Sequence, residues 1–289
     1  MRRSSMAYQL IENNQSAVLF VDGMLIPANA QEAAEFFLPC YDTVYYETVR
    51  IYKGVLLFLE DHLERLEKSV RGGERFPVDI TFIKYSLENY LGYLNIGEYN
   101  GNMRIVLTRN HIIYHVCDAS IPTQDKFENG IATNILDWER KAPNIKVFRG
   151  DYKDAVAQKF TETTPFGAPY EVLLRNRFGK ITEGSKSNFF AIVKGEVYSA
   201  TNDVILIGIT RQYVLKALKD AGKNLRYRVF SLEELERENA ALFVSSTPFD
   251  ILPVSSVEGV KFDSVNNEIL QNLSASYKDI VEDYYKNHV

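Results

Sequence analysis

Cysteine is nearly missing from this chain: there are two in 289 residues, Cys40 and Cys117, and they make no CxxC or Cys/His spacing. That excludes a disulfide framework, suggests no zinc site, and points to a reduced, cytoplasmic setting. Proline is sparse at nine residues, and no low-complexity segment or fixed-period repeat is present, which excludes fibrous, disordered and solenoid architectures. No run approaches the roughly 20 apolar residues that span a bilayer. The start "MRRSSMAYQL" leads into "IENNQ", where a signal peptide needs an apolar stretch. Positive charge is not in excess either: 33 Lys and Arg stand against 38 Asp and Glu, for a formal net charge of -5. Nothing in that balance marks a nucleic-acid or acidic-membrane partner, so a small-molecule partner is favoured.

What is present is an ordinary globular composition, 46% hydrophobic and 25% charged, in a chain long enough for one large or two modest domains. The segments "SAVLFVDGMLIPA" and "YYETVRIYKGVLLFLE" read as hairpins turning at Asp22-Gly23 and Lys53-Gly54. A helix follows the second, with Leu59, Leu63, Leu66 and Val70 at 4-3-4 spacing as its core stripe. "MRIVLTR" and "HIIYHVCDA" pair as strands, and the polar stretch after them marks a boundary. The expected organisation is a small domain over 1–121, an interdomain loop over 122–129 and a larger domain over 130–289. The larger one holds the strand "IATNIL", a helix within "YKDAVAQKFTE", the hairpin "YEVLLRNRFGKITEG" and a hairpin turning at Lys194-Gly195. Helices and strands mix without a regular βαβ rhythm, so the fold class expected is α+β.

Two stretches carry chemistry. In "ILIGITRQYVLKALKDAG", Thr210 is the expected N-cap of a helix, and Gly208 and Ile209 precede it. Free N–H groups at such a helix start suit a phosphate, and a glycine lets the anion come close. In "ITEGSKSNFFAI" an acid, two serines and an asparagine precede a strand. Read locally, that is a solvated turn.

Taken together with "YETVRIYKG", "LEDHLERL", "APNIK" and the "SSTPFDILPV" that leaves a late strand, the ordered set resembles the class IV, fold-type IV pyridoxal-phosphate enzymes. These are the branched-chain aminotransferases, D-amino acid aminotransferases and 4-amino-4-deoxychorismate lyases. The resemblance covers nearly the whole chain, and its specific part is E-G-S-x-S-N-x-F with I-x-x-G-I-T-R about twenty residues later.

The resemblance implies a two-domain fold with a β-rich pseudobarrel in the larger domain, and pyridoxal 5'-phosphate as cofactor. It implies that Glu183 faces the cofactor's pyridine nitrogen and keeps it protonated, with Ser187 and Asn188 of the same motif on the cofactor side. It implies that Lys146 of "APNIK" forms the Schiff base and shuttles the Cα proton. The usual S-L-N-Y-L continuation is replaced here by Val147 to Tyr152, and Lys153, inside the expected helix, is the rival lysine. Tyr152 would lie near the cofactor's 3-hydroxyl. Arg65 of "H-x-x-R-L", with Ile209, Thr210, Ser246 and Thr247, would form the phosphate cup. His62, Arg65 and Ser69 fall at i, i+3 and i+7 and so line one helix face; without the resemblance, an ion pair between Asp61 and Arg65 is the simpler reading. Tyr45, Tyr46 and Arg104 would build the substrate wall, Arg104 holding a carboxylate by two parallel bonds.

The function implied is transamination between an amino acid, branched-chain-like, and a 2-oxo acid. A lyase that releases pyruvate and p-aminobenzoate from aminodeoxychorismate shares every one of these motifs. A binding-only homologue that has lost turnover is the third reading. Family members place their site between two domains and close to a second subunit, so a homodimer is expected, the commonest closed assembly.

Overall fold

The computed structural model describes residues 8–118 and 121–289. It divides into two compact units, the first made of Met1–Ser120, Ile145–Asp151 and Tyr284–Val289, the second of Ile121–Asn144 and Tyr152–Asp283. The chain therefore passes between units four times, where the linear division at 122–129 has one passage. That stretch also carries a helix, Gln124–Asn129, where a loop was expected. Its i, i+4 side-chain bonds, Gln124 to Glu128 and Asn129 to Asp125, hold a helical turn in a sequence whose polarity reads as loop.

The first unit is built on a six-stranded antiparallel sheet. Its strands are β1 (Val18–Val21), β2 (Met24–Pro27), β3 (Tyr45–Tyr52), β4 (Val55–Leu56), β5 (Gly101–Leu107) and β6 (Ile112–Cys117), in the order β2-β1-β6-β5-β3-β4. Both expected hairpins form. Asp22-Gly23 and Lys53-Gly54 each place two successive residues at positive φ, the backbone that matches the twist of the flanking strands. Helix α1 (Leu59–Gly72) buries the stripe Leu59, Leu63, Leu66 and Val70, and α2 (Ile80–Leu94) adds Ile83, Leu87 and Tyr90 to the same core. Each such side chain taken out of water contributes about 1.5–3 kcal/mol. Strand β3 alternates strictly, so Tyr45, Glu47, Val49 and Ile51 are buried while Tyr46, Thr48, Arg50 and Tyr52 are half-buried.

The second unit opens with α3 (Gln124–Asn129) and strand β7 (Ile131–Asp137), and α4 (Gly150–Thr161) precedes the hairpin β8 (Glu171–Arg175) and β9 (Ile181–Gly184). The hairpin β10 (Asn188–Val193) and β11 (Glu196–Ser199) follows, turning at Lys194-Gly195 as expected. Then come α5 (Ile209–Asp220), β12 (Arg226–Tyr227), α6 (Leu232–Arg237), β13 (Ala241–Ser246), β14 (Asp250–Val257), β15 (Val260–Lys261) and α7 (Glu268–Lys286). The nine strands make one mixed sheet, ordered β9-β8-β7-β14-β13-β10-β11-β12 with β15 beside β14. β7 runs parallel to both β8 and β14, and the other pairs are antiparallel except β11 with β12. The architecture is the α+β one the sequence leads one to expect. Among the described residues no helix is long and apolar enough to cross a membrane.

Candidate active site

In the first unit the chemistry collects around Lys146. The segment 145–151 returns to β3: Val147 bridges Tyr45, and the Phe148 N–H donates to the Val44 carbonyl. On its other side the Lys146 N–H donates to Ser69 Oγ at 3.1 Å. The replaced continuation after Lys146 thus still pins the lysine at its backbone. Its Nζ lies 4.6 Å from the centre of the Tyr46 ring, and the Arg104 guanidinium lies 4.8 Å from the same ring. Arg104 stands opposite Thr48 on β3 and His115 on β6. Burial pushes the Lys146 ammonium below the ordinary lysine range; Arg65 and Arg104 add to that shift, while Tyr46 and Glu47 oppose it.

Beside it, strand alternation puts a carboxylate, Glu47, on the buried face of β3. A buried acid persists only when bonded. Arg65 Nε donates to Glu47 Oε1 at 2.8 Å and Nη2 to Oε2 at 2.6 Å, and His62 Nδ1 lies 2.8 Å from Oε2. Burial alone would raise the Glu47 carboxyl, but the Arg65 charge and bonds and the His62 bond hold it well below the usual carboxylate range. The helix face expected from spacing is real: His62, Arg65 and Ser69 all turn to this cluster. Arg65 pairs with Glu47, a partner that reaches it from a strand and not from its own helix. Tyr45, one residue from Tyr46, points the other way, its hydroxyl accepting the Glu74 N–H at 2.8 Å. It is a core residue of the sheet, and Tyr46 alone of the two shares the face of Lys146 and Arg104.

In the second unit Glu183 is buried on β9. Arg140 Nε donates to its Oε1 at 2.8 Å and the Leu206 N–H to its Oε2 at 3.2 Å. Burial pushes the Glu183 carboxyl up; Arg140 and the Leu206 N–H oppose that, and the neighbouring Glu171 adds to it. Tyr152 donates to the Ser185 carbonyl at 2.7 Å, and Arg140 Nη2 donates to the Tyr152 hydroxyl at 3.2 Å and to that carbonyl at 3.0 Å. Lys153, the next residue of α4, is exposed.

The motif residues around the acid are occupied in ways their spacing does not reveal. Ser187 Oγ donates to Glu171 at 2.7 Å. Asn188 is a clamp: its Nδ2 donates to the Leu206 carbonyl at 2.8 Å and its Oδ1 accepts the Gly208 N–H at 3.1 Å. A Cβ at Gly208 would meet that Oδ1 at 2.2 Å, which is why the position holds glycine. The clamp sets the start of α5. Gly208, and not Thr210, is the N-cap, and Ile209 and Thr210 are already helical; no side chain caps the helix. Thr210 was the wrong cap because its own φ and ψ belong to the first turn. The first turn of α5 thus has no side-chain cap, and N–H groups at such a helix start are the kind that can receive an anion. Ser246 Oγ donates to the Lys186 carbonyl at 2.6 Å, and Thr247 is half-buried in the turn that follows β13.

Residues 45–257 match the family described as amino-transferase class IV. The chain belongs to that family. It is 28% identical over 233 residues to the D-alanine aminotransferase of Bacillus licheniformis, a match that covers 74% of this chain and 78% of that one. It is 25% identical over 261 residues to the probable branched-chain-amino-acid aminotransferase of Rickettsia conorii, covering 84% and 88%. Among solved structures, the PLP-bound form of a hypothetical aminotransferase from Mycobacterium tuberculosis superposes with a TM-score of 0.75 over 92% of this chain and 99% of that one, at 16% identity. That likeness shows the fold.

Each unit of this class IV aminotransferase, taken by itself, carries groups that suit pyridoxal phosphate: the first a buried lysine amine of lowered pKa, the second a buried acid held by an arginine and a backbone N–H, and a helix start with no side-chain cap. Three residues of the site escape motif reading: Glu47, Arg140 and Glu171. Two of them carried a signal. Glu47 and Glu171 are charges inside apolar runs, "YYETV" and "YEVLL", where a buried acid needs partners. Arg140, in the polar run "DWERKAPN", carried none.

Proposed function

We propose that this class IV aminotransferase is a pyridoxal-phosphate-dependent transaminase that moves an amino group between a branched-chain-like amino acid and a 2-oxo acid. The observation that carries the reading is Lys146, held at its backbone by Ser69 and facing Tyr46, an amine lowered by burial first and by the Arg65 and Arg104 charges second. Bound pyridoxal phosphate supplies an electron sink for the Cα–H bond of an amino acid. Lys146 is the attachment point and the base that takes and returns the Cα proton. Glu183 would hold a proton at the ring nitrogen, and Arg140 favours its ionised form against the burial that pushes this carboxyl up. Arg65, the first-turn N–H groups of α5 and Thr247 would hold the phosphate, and Tyr152 would bond the 3-hydroxyl. Arg104, beside Tyr46, takes the substrate carboxylate.

Branched-chain and D-alanine relatives both support amino and 2-oxo acids as substrates. The protein is read as a cytoplasmic homodimer. Purified protein saturated with pyridoxal phosphate, assayed with L-valine, L-leucine and D-alanine against 2-oxoglutarate, is expected to exchange amino groups with a branched-chain donor first. Release of p-aminobenzoate from aminodeoxychorismate without such exchange would replace this reading with the lyase. A bound cofactor and no turnover with any substrate would leave a binding protein. Light scattering at micromolar concentration is expected to give twice the chain mass of 33.1 kDa.

A further inference from the structure

We propose that Glu171 is a positioning residue for Glu183, acting through the S-x-S turn of the E-G-S-x-S-N motif. The role rests on reading Glu183 as the acid that faces the cofactor's ring nitrogen. Glu171 opens β8, is fully buried, and is followed by the apolar Val172, Leu173 and Leu174. Four donors hold it: the Val172 N–H at 2.7 Å, the Ser185 N–H at 3.2 Å, Ser185 Oγ at 2.5 Å and Ser187 Oγ at 2.7 Å. None is a cation. A carboxylate kept out of water by neutral donors alone is expensive, and an apolar side chain would fill the space at less cost. Its use must lie in what it holds.

It holds two routes to one carboxylate. Along the first, Glu171 fixes Ser185 by both N–H and hydroxyl, and the Ser185 carbonyl receives Tyr152 and Arg140, whose Nε reaches Glu183. Along the second, Glu171 fixes Ser187, the next residue Asn188 grips the Leu206 carbonyl, and the Leu206 N–H reaches the other oxygen of Glu183. Gly184 lets the turn close on the acid: a Cβ there would meet Ser187 Oγ at 2.0 Å and the Glu171 carboxyl at 3.1 Å. The two serines of the motif are thus ligands of Glu171, and both oxygens of Glu183 are set by groups that Glu171 anchors.

Trp138 is the chain's single tryptophan, with its ring centre 5.5 Å from that of Tyr152, so its emission reports this network in the apoprotein. Glu171→Ala, Glu171→Gln and Ser187→Ala are compared with the wild type by Trp138 emission and acrylamide quenching of the apoprotein, and by titration with pyridoxal phosphate followed in the visible band. Glu171→Ala is expected to shift Trp138 emission and weaken cofactor binding by about 10–100-fold, the cost of releasing groups bonded to a charge. Ser187→Ala, which cuts one route, is expected to fall between. Glu171→Gln keeps an acceptor for Ser185 and is expected to restore most of the affinity. It also removes the negative charge that, against Arg140, opposes ionisation of Glu183, so the pH below which cofactor binding fails is expected to move down. Wild-type emission and affinity in Glu171→Ala would overturn the proposal. So would equal losses in the Ala and Gln variants with an unmoved pH profile, which is what a purely structural acid would give. A wild type that takes up no cofactor would overturn the functional reading, while the apoprotein emission would still decide the role of Glu171.

Discussion

Replacing Glu47 by glutamine removes a charge from an enclosed ion pair of the first unit. The glutamate is fully buried and the Arg65 side chain is 12% exposed, with bonds of 2.8 and 2.6 Å between them and a third to His62 at 2.8 Å. Breaking such a pair costs about 3–5 kcal/mol, and the residual water contact of Arg65 puts this case near the lower end, about 3 kcal/mol. For a protein of this size that corresponds to a fall in Tm of roughly 5 °C. The pH dependence has a definite sign. The folded Glu47 carboxyl sits well below its ordinary value of 4.5, so its stabilisation is fully present above that value and is lost as pH falls through the depressed folded value. Urea unfolding followed by far-UV circular dichroism should give a constant gap between wild type and Glu47→Gln above about pH 5.5, narrowing steadily as the pH is lowered below about 4.5. Added salt should leave the gap nearly unchanged, because a pair out of water is poorly screened. A gap below about 1 kcal/mol, typical of an exposed pair, or one that widens on acidification, would refute the reasoning.

Four further substitutions test the site. Lys146→Ala is expected to abolish covalent retention of cofactor through borohydride treatment, and Lys153→Ala to keep it; the reverse pattern, read from the yellow colour and protein mass, would move the attachment point to α4. Glu183→Gln should still bind cofactor but lose turnover by roughly 100-fold or more, measured by steady-state kinetics, since a neutral amide cannot hold a proton on the ring nitrogen. Gly208→Ala forces a Cβ against Asn188 Oδ1 at 2.2 Å, and the overpacking is expected to cost about 1–3 kcal/mol in urea melts and to weaken binding of free phosphate to the apoprotein.

Local signals were readable where backbone chemistry is local. Two-residue turns such as Lys194-Gly195 dictate their hairpins, and the 4-3-4 stripe of α1 dictates its buried face, because each depends on residues a few positions apart. The spacing of His62, Arg65 and Ser69 gave the right helix face. It did not give the partner, since Glu47 reaches Arg65 only through sheet alternation fifteen or more residues away in sequence. The same limit hid Arg140: nothing near it in the chain says that its guanidinium meets an acid 43 positions later. The serines of the E-G-S-x-S-N motif were legible as a pattern and illegible as ligands of Glu171, because the acid they serve lies on a different strand. Thr210 looked like a cap by residue type, and the cap fell instead two residues earlier, where Asn188 grips the chain.

The four passages of the chain between units bear on how this enzyme can be divided. A fragment ending at residue 120 lacks both Ile145–Asp151 and the terminal Tyr284–Val289, whose Tyr284 hydroxyl accepts the Leu59 N–H at the start of α1 at 3.3 Å. The complementary fragment carries Lys146 away from Ser69, which bonds its backbone, and leaves the lysine on a strap with nothing to fold against. No single cut in the sequence therefore yields one whole unit. A split version of the protein would have to reassemble from two pieces before its lysine was seated, so it should act as a complementation pair, silent when either half is expressed alone.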